Sequence, residues 1–340
     1  MIYTELKGKK AAVIGGSGFL GSYVCMRLIT QGCSVTSISR NLPEKEVVGV
    51  NYQRADITLN GSYEGHLQGV DIVFLVAAKA GYWGAYSRYH AVNYVGAENV
   101  LKACLDLGIQ YLIYTSTPSV AYSAKDDVDG WDESVGYAQE FLSPYPKSKA
   151  LAEKLILNQT SRELKTIALR PHIIWGLGDR HIVPRILTAA KQGKLRRLGK
   201  RDVKVDMTHV ENAAEAHICA AKALLEKRDN TVGKAFFISD DQPVHIWEWI
   251  NQLLLLLELK PVTSTVNISM ARRVAHISEL IHKSIPSLGE PRLSRFLVDQ
   301  LTHNHYFNIE AAKRELGYVP KVNQAEALLK YAEHLKKGLH

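Results

Sequence analysis

Two hydrophobic periods alternate along the first half of the chain. Ala11-Ala12-Val13-Ile14 is a short continuous apolar run, as a strand buried on both faces requires. Gly15-Gly16-Ser17-Gly18-Phe19-Leu20-Gly21 follows, and then Tyr23, Met26, Leu28 and Ile29 mark a helix. Ser34–Ser39 reads as a second strand, and Arg54-Ala55-Asp56-Ile57 as the end of a third. Asp71–Ala78 is a buried fourth strand with a small Ala77-Ala78 end. A helical pattern with Val92, Val95, Val100, Leu101 and Cys104 runs from Arg88 to Leu107, and Gln110–Thr115 is the fifth strand. This alternation from residue 9 to about 170 predicts an α/β fold of Rossmann type, a doubly wound parallel sheet with right-handed crossovers. It breaks down after Gly176. Residues 1–175 are expected to form the sheet domain, with some later segments returning to it, and 176–340 mainly a smaller C-terminal α/β region.

The turn between the first strand and helix is Gly15-x-x-Gly18-x-x-Gly21. Glycines there let backbone N–H groups approach a pyrophosphate at the helix N-terminus, so the first domain reads as NAD(P)-binding. At the end of the second strand an NAD-binding chain usually carries an acidic residue for the ribose 2′-hydroxyl. Here Ser39-Arg40 stands instead. A hydroxyl and a guanidinium suit a 2′-phosphate, which favours NADP(H) over NAD(H). Asp56 and Ile57 are placed near the adenine, and Ala77, Ala78 and Lys79 beside the cofactor. Asn93, inside the long helix, is expected to anchor a buried water next to Lys149.

The chemistry centres on Tyr145-Pro146-Lys147-Ser148-Lys149. Tyr and Lys four residues apart on a helix share a face. An ammonium beside a phenol makes its anion easier to form, so the pair is a candidate proton donor. The fifth strand delivers Thr115-Ser116-Thr117 to its C-terminal end, where open α/β sheets keep their ligands.

Composition adds little to this. The chain has 340 residues, 46% hydrophobic and 22% charged, and a net charge of +8. No apolar run approaches the ~20 residues of a spanning helix, and Cys25, Cys33, Cys104 and Cys219 form no metal or redox motif. A cytoplasmic protein is expected, with membrane association as a variant. An anionic cofactor and anionic substrates account for the charge without nucleic acid. Lys191 to Lys204 is strongly basic and reads as an exposed hairpin; drawing in an anionic substrate is its sharper reading. Asp126 to Glu133 is read as a solvated lid without calcium-loop spacing. His303 and His305 make a poor metal site, so no metal is expected and packing or substrate contact is preferred. Met270, Val274, Ile277 and Ile281 form a stripe that is ordinarily core, or else a lid over a lipophilic substrate or a membrane-resting face.

These motifs together resemble the extended short-chain dehydrogenase/reductase family. They are Gly15-x-x-Gly18-x-x-Gly21, Asp56-Ile57, Ala77-Ala78, Asn93, Tyr114-Thr115-Ser116-Thr117, Tyr145-x-x-x-Lys149 and Leu169-Arg170-Pro171. Trp175-Gly176-Leu177-Gly178-Asp179, Trp247-Glu248-Trp249-Ile250-Asn251 and Glu290-Pro291-Arg292 are similar to the 3β-hydroxysteroid dehydrogenase branch. Ala77 to Gly84 and His303-Asn304-His305-Tyr306 resemble, more narrowly, the bacterial 2-alkyl-3-oxoalkanoate reductases of olefin biosynthesis. The resemblance implies Tyr145 as proton donor or acceptor and Lys149 holding the nicotinamide ribose. It implies Thr117, or Ser116, aligning the reacting oxygen, and Pro171 with the backbone after it fixing the nicotinamide amide. Gly15, Gly18, Phe19, Leu20, Gly21, Ser39, Arg40, Asp56, Ile57, Ala77, Ala78, Lys79, Asn93, Thr115, Tyr145, Lys149 and Pro171 would bind the cofactor. One departure is Ile14, where the family usually has Thr. The expected activity is NADPH-dependent reduction of a 3-oxo group, or oxidation of a 3-hydroxyl, on a large apolar substrate. A 2-alkyl-3-oxoalkanoate is favoured over a 3β-hydroxysteroid or sterol. Pro118-Ser119 after Thr117 lacks the acidic pair of nucleotide-sugar dehydratases, an epimerase ranks lower, and a non-catalytic cofactor-binding regulator is the reading from another class. A homodimer is expected, with contact to pathway enzymes or a membrane surface as further partners.

Overall fold

The computed structural model describes residues 3–123 and 125–337. Seven strands among them make one parallel sheet: β1 (Lys10–Ile14), β2 (Ser34–Ser39), β3 (Val50–Arg54), β4 (Ile72–Leu75), β5 (Tyr111–Thr115), β6 (Lys165–Pro171) and β7 (Lys234–Ile238). The helices that matter here are α1 (Phe19–Thr30), α2 (Gly96–Asp106), α3 (Pro144–Asn158), α4 (Ile182–Lys191), α5 (Val210–Leu225), α6 (Ile246–Leu256), α7 (Ile268–Ser284) and α8 (Gln324–Lys337). Spatial order is β7-β6-β5-β4-β1-β2-β3. This is the doubly wound order, and its direction reverses between β1 and β4, which is where such sheets open a ligand crevice. Ile14, at the end of β1, faces Ile38 on one side and Leu75 on the other.

Two apolar layers sandwich the sheet. Val24 and Leu28 of α1 and Ala213 to Leu224 of α5 pack on one face. Val100 and Leu101 of α2 and Ala152 and Ile156 of α3 pack on the other. A third cluster unites Trp175, Val183, Trp247, Trp249, Leu253 and Tyr331 and holds the C-terminal helices together. Beside it lies a small mixed sheet in the order Val244–His245, Lys204–Val205, His305–Phe307, Val128–Trp131.

Several boundaries differ from the periodicity. β4 stops at Leu75 because the Ile14 carbonyl takes both the Val76 and Ala77 N–H groups, which turns the chain out of the sheet. β3 ends at Arg54, so Asp56 and Ile57 sit in the following loop. The long helix is three joined pieces, Tyr86–Tyr89, a wider π-helical His90–Val95, and α2. The basic hairpin does not form: Arg197–Leu198 pairs with Thr265–Val266, while Lys204–Val205 joins the small sheet. Nor is the acidic segment a free lid. Asp127 takes the Asn304 N–H and the Arg201 guanidinium, both at 2.7 Å, and Asp129 takes the Asn304 amide. The 270–281 stripe is not core; Ala271 and Ala275 are the buried residues of α7.

Candidate active site

Ser143 caps α3, its hydroxyl accepting from the Tyr145 N–H, and Pro144 and Pro146 occupy a first turn where no proline N–H is missed. The helix therefore starts at the dyad. Its i, i+4 face carries Tyr145, Lys149 and Glu153 in line. Across from it, β5 ends in Thr115, Ser116 and Thr117. Lys149 Nζ donates to the Thr115 carbonyl at 2.5 Å and lies 4.0 Å from the centre of the Tyr114 ring. The Thr117 hydroxyl lies by that of Tyr145 and favours its ionised form. Its Oγ1 also donates to Ser119 Oγ at 3.3 Å. The hydroxyl next to Tyr145 is thus that of Thr117, while the Ser116 hydroxyl is buried without a hydrogen-bond partner. Thr115 contributes its carbonyl only, since its hydroxyl donates to His217 Nε2 at 2.8 Å.

The charges are set chiefly by burial. Burial pushes Tyr145 up to about 12, opposed by the Thr117 hydroxyl. Burial brings Lys149 down to about 7, opposed by Glu153. Lys149 Nζ is directed at the Thr115 carbonyl and is itself poorly charged near neutrality, and burial is the larger influence on Tyr145. Tyr145 keeps its proton at neutral pH, which is the state a proton donor needs. Glu153 is fully buried and clasps Arg170 through two bonds of 3.1 and 2.6 Å.

At the switch point between β1 and β4, the glycine turn fits a dinucleotide. Gly15 has φ +92°, and a Cβ on it would lie 2.6 Å from the Ala77 nitrogen. A Cβ on Gly21 would lie 2.1 Å from the Gly15 carbonyl oxygen. Gly18 starts α1 without a side-chain cap, so the first amides, from Phe19 and Leu20 onward, have no side-chain oxygen on them. A turn that no Cβ may enter, ending in an open helix N-terminus at the sheet's switch point, has the geometry of a phosphate cradle. Substituting Gly21→Ala is expected to weaken cofactor binding roughly 10- to 100-fold, from backbone strain of the usual size. Titration of the bound nicotinamide's fluorescence reads this, and unchanged affinity would contradict the cradle.

The other expected residues fall around this cradle. Ser39 accepts from the Ser17 N–H at 3.1 Å, which ties the end of β2 to the turn. Arg40 is exposed beside it, its carbonyl held by Arg54 Nε at 3.0 Å. Asp56 spends one carboxylate oxygen on the Thr58 N–H and hydroxyl. Ile57 packs under Gly96, where a Cβ would meet it at 2.7 Å. Ala77 and Ala78 form the exit from β4. Asn93 is committed to protein: it accepts from the Lys79 N–H at 2.7 Å and donates to the Lys79 carbonyl and Ser148 Oγ. It thereby fixes the loop after β4 to α3. Pro171 ends β6, and the next N–H, of His172, goes to the Ile238 carbonyl at 3.2 Å. Ile173 then adopts φ +32°, a strained value for a β-branched residue.

Sequence spacing missed several partners. His305 does not pair with His303; its Nδ1 meets His172 Nε2 at 2.6 Å, and burial lowers both rings. Tyr122 stacks against His305 and exchanges hydrogen bonds with the Gln300 amide at 3.1 and 3.2 Å. Tyr82, in the loop after β4, stacks on Phe296 at 5.9 Å. Arg185 grips Glu290 and lies 5.6 Å from the Tyr82 ring centre. Glu153 was missed as well: it shares the helix face of Tyr145 and Lys149, but its partner Arg170 lies 17 residues on.

A parallel sheet with an uncapped glycine turn at its switch point and a Tyr145/Lys149 pair at the start of α3 is the arrangement of an NAD(P)-binding oxidoreductase of the short-chain dehydrogenase/reductase type. Residues 12–266 match the 3-beta hydroxysteroid dehydrogenase/isomerase family, and the chain belongs to it. It is an NAD(P)-dependent dehydrogenase/reductase acting on CH–OH groups. The chain is 42% identical over 330 residues to a 2-alkyl-3-oxoalkanoate reductase of Shewanella oneidensis, covering 95% of this chain and 85% of that one. It is 31% identical over 342 residues to a decarboxylating mouse sterol-4-alpha-carboxylate 3-dehydrogenase, covering 97% and 93%. Among solved structures, MoeE5 in complex with UDP-glucuronic acid and NAD superimposes with a TM-score of 0.74 at 23% identity, over 97% of this chain and 99% of that one. That likeness concerns the fold. Among the described residues no helix is long and apolar enough to cross a membrane.

Proposed function

We propose that this protein is an NADPH-dependent reductase that converts the 3-oxo group of a 2-alkyl-3-oxoalkanoate to a 3-hydroxyl. The observation that carries the reading is the Tyr145/Lys149 face of α3 set against the C-terminal end of β5, where Lys149 holds the Thr115 carbonyl and Thr117 stands by Tyr145, in the same parallel sheet as the glycine turn. The glycine turn and the amides of Phe19 and Leu20 hold the pyrophosphate, Asp56 and Ile57 flank the adenine, and Lys149 holds the nicotinamide ribose. The reduced nicotinamide, when bound, supplies a hydride. Thr117 donates a hydrogen bond to the 3-oxo oxygen and fixes its direction. Tyr145 gives its proton to that oxygen as negative charge builds on it. Ser116, buried behind Thr117, contributes no proton. The acyl chains lie against the aromatic side of the site, where Tyr82, Phe296 and Tyr122 gather.

The similarity to the sterol-4-alpha-carboxylate dehydrogenase supports a second reading, oxidation of a sterol 3-hydroxyl. A screen decides between them by following loss of NADPH absorbance with long-chain 2-alkyl-3-oxo acids and with 3-oxosteroids. Faster turnover of the acyl substrates is expected; turnover of steroids alone would reverse the assignment.

Cofactor choice rests on Ser39 and Arg40. A guanidinium on a 2′-phosphate is a charge-assisted pair, worth about 1.5–3 kcal/mol. Arg40→Ala should therefore raise the Kd for NADPH roughly 10- to 150-fold and leave that for NADH in place. Tighter binding of NADH by the unaltered protein would overturn the preference.

A further inference from the structure

The substrate of the proposed reaction is an anion. A 2-alkyl-3-oxoalkanoate carries its carboxylate on C2, the neighbour of the carbonyl carbon, so a group that holds the carboxylate must stand beside Tyr145. Taking a carboxylate out of water without a counter-charge is costly. Most cations around the site are already engaged. Lys149 donates to the Thr115 carbonyl. Arg170 is clasped by Glu153, and Arg185 by Glu290 at 3.0 and 2.7 Å. Lys147, on the first turns of α3, is exposed. Lys79 is different. It is half-buried in the loop after β4, and among the described residues its Nζ makes no ion pair; it stands 5.0 Å from the centre of the Tyr89 ring.

Hydrogen bonds tie this lysine to the dyad. The Asn93 side chain accepts from the Lys79 N–H at 2.7 Å and donates to the Lys79 carbonyl at 3.1 Å and to Ser148 Oγ at 2.9 Å. Ser148 Oγ donates in turn to the Tyr145 carbonyl at 2.8 Å. Both backbone groups of residue 79 are therefore fixed to the turn of α3 that carries Tyr145 and Lys149. The ring under the Lys79 side chain is fixed too: Tyr89 is 1% exposed, and its hydroxyl donates to the Trp83 carbonyl at 2.8 Å. It is near enough to Tyr145 for its charge to raise that phenol further. Glu290 also bears on Tyr89, but its carboxylate is spent on Arg185. A half-buried ammonium with no counter-ion of its own, resting on an aromatic ring beside the proton donor, has the charge and the place that this carboxylate requires. We propose that Lys79 determines specificity for the acid, its Nζ donating to the substrate carboxylate while Tyr145 serves the 3-oxo oxygen. The inference rests on the reductase reading and deepens it. Two polar anchors, separated by two carbon–carbon bonds of the substrate, fix how the carbonyl is presented. The other recipient for this ammonium is the cofactor, beside which the loop after β4 is expected.

The test compares a long-chain 2-alkyl-3-oxo acid with its methyl ester, the same reacting carbonyl with and without the charge. With NADPH saturating, kcat/KM for the acid is divided by kcat/KM for the ester, in the unaltered protein and in Lys79→Met. The ratio should fall roughly 10- to 150-fold in Lys79→Met, the usual worth of a charge-assisted hydrogen bond, with the loss appearing in KM for the acid. Lys79→Arg keeps the charge and should retain most of the preference. The ratio sets two substrates against each other on one protein, so a general loss of fold or of cofactor cancels in it. Titration of bound NADPH fluorescence accompanies it. A ratio in Lys79→Met equal to that of the unaltered protein overturns the proposal and leaves the reductase reading standing. An equal ratio with weakened NADPH binding overturns it as well, and gives the ammonium to the cofactor. Reduction of neither acid nor ester by the unaltered protein removes the reductase reading and this proposal together.

Discussion

Tyr145→Phe is expected to lower kcat by about two to four orders of magnitude, the usual worth of a positioned proton donor. The substitution removes one oxygen and keeps the ring. The start of α3 is set by Ser143 and the two prolines, not by the phenol, so the helix and Lys149 should stay in place. Affinity for NADPH should therefore be unchanged while turnover collapses. That combination separates the reductase from a cofactor-binding regulator, in which neither quantity would respond. Thr117→Ala should give a smaller loss, because the tyrosine remains and only the direction of the reacting oxygen is loosened. Steady-state rates beside cofactor titrations measure both. Tyr145→Phe with undiminished turnover would exclude the phenol as the proton source.

Glu153→Ala is expected to be the most destabilising substitution near the site. Glu153 and Arg170 are buried and joined by two hydrogen bonds. Removing the carboxylate leaves a buried guanidinium without its hydrogen-bonded counter-charge, with only the Glu133 carboxylate still acting on it, at a cost of about 3–5 kcal/mol. Arg170 also lies 5.1 Å from the centre of the Phe237 ring, so the pair fixes β6 and β7 against α3. The loss has a chemical side too. Glu153 opposes the burial that lowers Lys149, so without it Lys149 should be less charged still. Urea unfolding should show a lower midpoint with an unchanged slope. Replacing both partners by apolar residues of similar size should recover much of the stability. A loss of ~1 kcal/mol or less in Glu153→Ala would place the pair with ordinary surface ion pairs and contradict its structural role.

These two positions differ in how visible they are in the sequence. The glycine turn and the Tyr145/Lys149 pair depend on spacings of three and four residues, and local spacing is what a single chain displays directly. The strand and helix periods likewise predict the parallel sheet, because strands buried on both faces must be apolar throughout. Arg170 and Glu153 are 17 residues apart, His172 and His305 are 133, and Tyr122 and Gln300 are 178. Such partners are brought together by the fold, and no local pattern announces them. Ends of elements were misplaced for a related reason. Whether Val76 and Ala77 continue a strand depends on which carbonyl takes their N–H groups, and Ile14 takes both. The row on α7 shows a third case. Periodicity reveals that one face is apolar but not whether anything covers it, so the usual expectation of a core stripe fails there.

Lys149 shows how burial reshapes the simplest reading of a motif. Spacing puts an ammonium near a phenol and suggests that one lowers the other. Lys149 reaches the Thr115 carbonyl, and burial keeps Tyr145 protonated, opposed by Thr117. This arrangement suits reduction, in which the tyrosine must have a proton to give.

The central claim is that hydride reaches C3 of an acyl substrate while Tyr145 protonates the oxygen. It is tested most directly with NADPH carrying deuterium at C4 of the nicotinamide, on the transferable face, and a long-chain 2-alkyl-3-oxo acid. Mass analysis of the product should show one deuterium, at C3 of a 2-alkyl-3-hydroxy acid, and the same product at a greatly reduced rate with Tyr145→Phe. A product without deuterium at C3, or deuterium retained in the cofactor while the substrate is consumed, would contradict the account.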